Sequence, residues 1–269
     1  MWIQKMFGVE KPIIALLHLD ALPGDPGYCG NMDLVLEHAE KDLIALQDGG
    51  VDGILFANEF SLPYQPLTDI ATVSAMAYII GKLKNELSIP FGVNVVKNPI
   101  ATIDLGAATG AKFGRSCFSG AYMGEYGIYV SNSGEAIRRR KELGIEEMKL
   151  LFKVNPEADS YLVQREIKVV AKSIMFGDFA DGLCVSGSAA GEEPDDVILA
   201  KVQEVAKPRN VPVFCNTGCN HQNVREKILN CDGVCMGSAF KKDGIFNERV
   251  DRTRVTEFMK IVKDIREHL

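Results

Sequence analysis

The side chains in this sequence that can do chemistry fall at the ends of short apolar runs. His18 closes "PIIALLH", Asn58 and Glu59 follow "GILFA", Asn94 closes "PFGVN", Arg115 lies in "KFGRSCF" and Lys153 in "LLFKVN". A carboxylate placed as Glu59 is can serve as a general base for proton abstraction, hold a hard divalent ion, or cap the next segment. An imidazole at His18, with Asp20 or Glu59 near it, suits acid–base work near neutral pH, although a histidine that merely closes a packed layer is the commoner case. Lys153 among apolar neighbours invites a Schiff-base reading. A charge partner for Glu59 or for a substrate phosphate is preferred, because nothing in the sequence lowers its pKa. Arg115 can clamp an oxyanion with its planar fork or neutralise a carboxylate.

The last three apolar runs end in "CVSGSAAGEE", "CNTGCNHQNV" and "CMGSAFKKDG", each with glycine beside serine or threonine. Glycine lets backbone approach an anion, and small hydroxyls add donors. Ser186, Gly187, Asn216, Thr217, Gly218, Gly237 and Ser238 are therefore read together as phosphate and substrate seats, while singly each pair is ordinary turn chemistry. The patterns G-x-x-x-x-G-K-[ST], H-E-x-x-H, G-x-S-x-G and C-x-x-C are missing, so Walker-type, zincin and serine-hydrolase chemistry lose their usual support. Cys215 with Cys219, and Cys231 with Cys235, are spaced C-x-x-x-C, but they sit in or next to apolar runs and make a poor zinc site.

What must position these groups is a repeated strand–helix unit. Eight apolar runs read as strands buried on both faces, at 12–18, 51–56, 90–95, 112–118, 149–154, 182–186, 211–216 and 233–237. Helical periodicity follows at 33–47, 69–87, 100–108, 133–143, 161–176, 195–206, 222–229 and 252–269. Parallel neighbours need a long crossover, so eight such units predict an α/β fold, a single (β/α)₈ barrel of the TIM type filling residues 1–269 as one domain. An open doubly wound sheet is the runner-up. It is disfavoured because "HLDALPGDPGY" after the first run is not a G-x-G-x-x-G turn. In a barrel the functional groups gather at the C-terminal strand ends, where the candidates above fall.

Composition narrows the partners. Thirty Lys and Arg against 36 Asp and Glu, with no long basic block, argue against nucleic acid. No run approaches the roughly 18–20 apolar residues that span a bilayer. The first residues lack a secretory h-region, so a cytoplasmic protein with seven reduced cysteines is expected. The sequence calls for no cofactor with confidence and for no metal site, leaving a divalent ion at Glu59 open. A homo-oligomer is likewise left open.

The segments "HLDALPGDPGY", "GGVDGILFANEFSLPY", "IPFGVNVV", "TGAKFGR", "CVSGSAAG", "NTG" and "FKKDG" resemble the BtpA/SgcQ family nearly end to end, closer to its SgcQ side. The resemblance implies a ribulose-phosphate-binding type of barrel. Its SgcQ side implies a setting in carbohydrate uptake and metabolism, and its BtpA side is named for photosystem I accumulation. It places family-shared polar positions at His18, Asp25, Asn58, Glu59, Asn94, Ser186, Asn216, Thr217, Lys241, Lys242 and Asp243. The expectation is an isomerase, epimerase or lyase acting on a small phosphorylated sugar or related metabolite. Glu59 would be the base, His18 the acid or a metal ligand, Asn94 would orient a substrate oxygen and Lys153 would stabilise enolate-like charge. The competing expectations are a non-catalytic assembly or regulatory factor, and a nucleoside- or glycoside-cleaving hydrolase whose second carboxylate is Asp20 or Asp25.

Overall fold

The computed structural model describes every residue except Pro66, Ala158, residues 188–191, Glu193 and Leu269. Its strands are β1 (Ile13–His18), β2 (Gly53–Ala57), β3 (Phe91–Asn94), β4 (Phe113–Ser116), β5 (Gly120–Gly124), β6 (Gly127–Ser131), β7 (Lys149–Asn155), β8 (Asp159–Tyr161), β9 (Gly182–Val185), β10 (Val213–Cys215) and β11 (Gly233–Met236). Eight of them close into a parallel barrel in the order β1-β2-β3-β4-β7-β9-β10-β11. All eight lie on the apolar runs picked out in the sequence, because strands covered on both faces must be apolar throughout.

The helices are α1 (Trp2–Phe7), α2 (Met32–Gly49), α3 (Ile70–Leu83), α4 (Pro99–Thr109), α5 (Ser133–Glu142), α6 (Ile167–Gly177), α7 (Asp196–Ala206), α8 (Val224–Leu229) and α9 (Arg252–Arg266). Several starts are fixed by local chemistry. The side chains of Asn31, Asn98, Asn132, Asp195 and Asp251 accept first-turn amides of α2, α4, α5, α7 and α9. Left-handed Gly50 and Gly110 end α2 and α4.

Inside the barrel, Ile14, Leu16, Leu55, Phe113, Leu151, Cys184, Phe214 and Cys235 fill the lower layers. The sequence reading had no element at the N-terminus. There α1 closes the bottom with Ile3 and Phe7, and the Trp2 indole donates to the Asp181 carbonyl at 2.9 Å. Large rings face bare glycines in this layer. A Cβ on Gly92 would lie 2.3 Å from the Phe113 ring, and one on Gly53 2.7 Å from Phe7. With the lower end packed shut, access to the interior is from the C-terminal strand ends.

β6, β5 and β8 form a separate antiparallel sheet, which sequence reading also missed. Its tyrosines stack: Tyr122 lies 4.9 Å from Tyr129 and 4.6 Å from Tyr161, ring centre to ring centre. The Tyr122 hydroxyl donates to the Ser119 carbonyl and that of Tyr161 to the Val154 carbonyl. These bonds fix the sheet over the ends of β4 and β7. The register of β7 against β9 slips between Lys153 and Asn155. An irregularity of this kind re-aims side chains at a barrel rim.

Candidate active site

The C-terminal end of the barrel opens into a cavity of about 770 Å³ lined by His18, Glu59, Asn94, Arg115, Lys153, Asn216, Thr217, Gly218, Gly237 and Ser238, among others. Ten of the twelve candidate residues therefore meet in one space. Ser186 and Gly187 line an adjoining hollow. Their backbone polar groups serve the scaffold: Ser186 exchanges two bonds with the Asn155 amide, and the Gly187 amide donates to Thr217 Oγ1 at 2.7 Å. The segment 188–191 that follows lies outside the described residues.

Arg115 is the centre of the site. It is 2% exposed. Its Nε and one Nη donate to Asn94 Oδ1 at 3.1 and 2.9 Å, and the other Nη donates to Asn216 Oδ1 at 2.9 Å. The Glu59 carboxylate stands 3.9 Å from the guanidinium. Asn216 passes the network on, its amide donating to Ser186 Oγ at 2.8 Å and to Glu157 Oε1 at 3.0 Å. The other Glu157 oxygen accepts from Lys153 Nζ at 2.8 Å. Asn94 and Asn216 thus orient a buried cation between the Glu59 and Glu157 carboxylates.

Glu157 was not singled out in the sequence. It follows Pro156 just beyond β7, and it is the partner that Lys153 finds instead of Glu59. Burial works against charge on Glu157, but Lys153 and Arg115 outweigh it and its pKa is lowered. Burial likewise opposes the Lys153 ammonium, yet Glu157 raises its pKa overall. A protonated, ion-paired lysine is a poor Schiff-base nucleophile in this state. The carboxylates proposed to accompany Glu59 in a hydrolase are engaged elsewhere. Asp20 binds His38 and Arg249, and Asp25 accepts from the Leu22 amide and the Ser61 hydroxyl.

His18 is 5% exposed, and neither ring nitrogen has a hydrogen-bond partner among the described residues. The ring is walled by Phe60 at 6.1 Å and Phe246 at 5.4 Å. Gly237 supplies the remaining room, since a Cβ there would stand 2.6 Å from Nε2. Lys241 lies over the same two phenyl rings and donates to the Phe246 carbonyl at 2.6 Å. Burial lowers its pKa to about 8, with Arg249 adding to the effect. Burial first, then Lys241, Arg115 and Arg249, push the His18 pKa well below its ordinary value. The imidazole is therefore neutral near pH 7, able to donate from one nitrogen and accept at the other.

This has a measurable consequence for stability. An unfolded histidine takes up a proton near about pH 6.5, whereas native His18 does so only well below that. The stabilisation by the neutral ring is present above the unfolded pKa and is lost as pH falls toward the folded one, because only the unfolded state gains the proton there. Wild type should lose up to about 1.4 kcal/mol per pH unit below 6.5 relative to His18→Gln. Urea unfolding of both proteins at stepped pH measures the difference, and parallel curves would refute it.

The rim of the cavity is aromatic. Tyr126, at the turn between β5 and β6, meets Tyr64 of the β2 loop edge to face at 5.4 Å. The Tyr64 hydroxyl donates to Glu59 through Oε2 at 3.0 Å and the carbonyl at 2.8 Å. Burial, and then the Glu59 charge, raise the Tyr64 pKa, so the hydroxyl stays a donor. Lys97 Nζ sits 4.9 and 4.8 Å from the Tyr126 and Tyr129 ring centres and binds Asp159 at 2.8 Å. Among the described residues no group of three or more His, Cys, Asp or Glu side chains is placed to hold a metal ion. No described helix is long and apolar enough to cross a membrane.

A parallel eight-stranded barrel with charged and amide groups converging on its C-terminal mouth defines a TIM-barrel protein. The BtpA family model matches residues 9–264, and the chain belongs to that family. It is 46% identical over 267 residues to the putative sgc region protein SgcQ of Escherichia coli K12, covering 98% of this chain and 99% of that protein. It is 31% identical over 261 residues to the photosystem I biogenesis protein BtpA of Synechocystis, covering 96% and 90%. Among solved structures, the N-acetylmannosamine-6-phosphate 2-epimerase of Clostridium perfringens superposes with a TM-score of 0.53 at 12% identity, covering 97% of this chain and 94% of that one. At that identity the likeness is one of fold.

Proposed function

We propose that this protein is an enzyme acting on a small phosphorylated sugar or related metabolite, by proton transfer of the isomerase or epimerase type. The observation that carries the reading is the shared cavity, where the Glu59 carboxylate, a neutral buried imidazole at His18 and an Arg115-centred charge network face one space of about 770 Å³. That size is within the ~300–1,000 Å³ of small-molecule sites. Two unpartnered nitrogens on a buried ring cost stability, which a pure scaffold has no reason to bear.

In this reading Glu59 removes a proton next to a substrate carbonyl, with Tyr64 holding the carboxylate in place. Neutral His18 donates to the developing oxyanion, and the Lys153 ammonium adds positive charge at its edge. Asn94 and Asn216 act mainly by orienting Arg115. Gly218, Gly237 and Ser238 lie along the wall where β10 and β11 end, and they seat the phosphate. The lyase variant through an imine is weakened by the Lys153–Glu157 pair. Hydrolysis by a carboxylate pair is weakened too, because a general acid needs a raised pKa and that of Glu157 is lowered. The biogenesis role in the name of the Synechocystis relative is the non-catalytic alternative.

Thermal denaturation with a panel of sugar phosphates and their unphosphorylated parents separates these readings. A phosphorylated ligand at a hundred times its Kd should add about 2.7 kcal/mol of apparent stability, with its parent sugar much weaker. No shift with any phosphorylated compound would favour the assembly role.

A further inference from the structure

We infer that Arg254, in the first turn of α9, is the cation that takes the phosphate group of the ligand. This rests on the phosphorylated-metabolite reading above and names the side chain behind it. Among the described residues four cationic side chains line the cavity: Lys97, Arg115, Lys153 and Arg254. Three already face a carboxylate, at 2.8 Å for Lys97 with Asp159, 3.9 Å for Arg115 with Glu59 and 2.8 Å for Lys153 with Glu157. Arg254 does not. Its Nε donates to the Ala239 carbonyl at 3.1 Å, and its two Nη groups have no acceptor among the described residues.

The arginine is held at the right wall. Ala239 follows Ser238 just beyond β11, so the bond from Nε ties the guanidinium to the β11 loop, one of the three glycine-containing loops that the sequence marks as anion seats. The Arg254 carbonyl accepts from His221 Nε2 at 2.8 Å, which anchors the start of α9 to the loop after β10. Gly218, Asn220, Ser238, Ala239 and Gly244 line the cavity together with Arg254. Gly244 has φ +73°, and a Cβ there would stand 3.6 Å from one Nη. The fork thus has small residues beside it and the glycine-rich loops on either hand. A planar guanidinium with both Nη groups unengaged matches a tetrahedral phosphate through two parallel hydrogen bonds.

Of the carboxylates lining the cavity, Glu59, Glu157 and Asp159 face Arg115, Lys153 and Lys97, and Glu192 lines it too. Arg254 brings a guanidinium with both Nη groups open to the wall formed by the loops after β10 and β11. A phosphate ester placed at Arg254 projects its carbon chain toward Glu59 and His18. A neutral sugar gains nothing from Arg254, so this residue sets the preference for a phosphorylated ligand over its parent.

The test is calorimetric titration of the full-length protein with inorganic phosphate, using wild type, Arg254→Gln, Arg254→Lys and, as a charge-matched control, Arg225→Gln, whose native arginine pairs with Asp264 on the surface. Circular dichroism confirms that each is folded. Phosphate should bind wild type and Arg225→Gln alike, weaken about ten- to a hundredfold in Arg254→Gln and recover partly in Arg254→Lys. Binding to Arg254→Gln within twofold of wild type overturns the assignment of Arg254 and leaves the phosphate reading standing. Wild type that does not bind phosphate at all overturns both. Acetate competing as well as phosphate shows a carboxylate seat and also overturns the proposal.

Discussion

Arg115→Ala will lower the unfolding free energy by about 3–5 kcal/mol, the usual cost of leaving buried charges and acceptors without their partner. Arg115 donates three hydrogen bonds to Asn94 and Asn216 and stands 3.9 Å from Glu59, all within the barrel. Truncation leaves both amide oxygens without a donor and removes a positive charge facing Glu59 and Glu157. Since whole proteins are stable by only about 5–15 kcal/mol, this is a large fraction of the total. Arg115→Lys keeps the charge but cannot reach two amides with a rigid fork, so it should recover only part of the loss. Guanidinium unfolding of the three proteins gives the comparison. A loss below about 1 kcal/mol in Arg115→Ala, the scale of an exposed pair, would mean that water screens the network.

The same network shows which parts of the site could be read from sequence. The barrel strands were legible because burial on both faces leaves an apolar run with nothing else to explain it. Their polar ends then pointed to His18, Glu59, Asn94, Arg115 and Asn216, which do line one cavity. Direction beyond the strand end was not legible. Ser186 and Gly187 end β9 as expected, but they line an adjoining hollow, and the Ser186 hydroxyl meets the site only through Asn216. Glu157 lies two residues past β7, after a proline and an irregular register, where alternation no longer says which side chain faces in. Arg254 belongs to α9, well after the last strand, and no periodicity marks it as other than a helix residue. The sheet of β5, β6 and β8 escaped notice because "GAYMGEYGIYVS" is short and glycine-rich, with its order coming from tyrosine stacking.

Glu59→Gln should reduce turnover by about 10²- to 10⁴-fold while leaving ligand binding and folding nearly intact. Glutamine keeps the shape of the side chain and can still accept from the Tyr64 hydroxyl, so the β2 loop retains its anchor. What it loses is the ability to take a proton. The measurement that isolates this step is exchange of a substrate carbon-bound hydrogen with deuterium from solvent, followed by NMR on whichever sugar phosphate stabilises the protein best. Wild type should exchange it, and Glu59→Gln should not, although the ligand still raises the melting temperature of both. Tyr64→Phe provides a graded case: the base remains but loses its hydroxyl donor, so exchange should persist at a reduced rate. If Glu59→Gln exchanges as fast as wild type, the base is another group. If it fails to bind the ligand, Glu59 holds substrate and does not move its proton. Only loss of exchange with binding preserved assigns the proton transfer to this carboxylate, because binding and folding have then been held constant across the comparison.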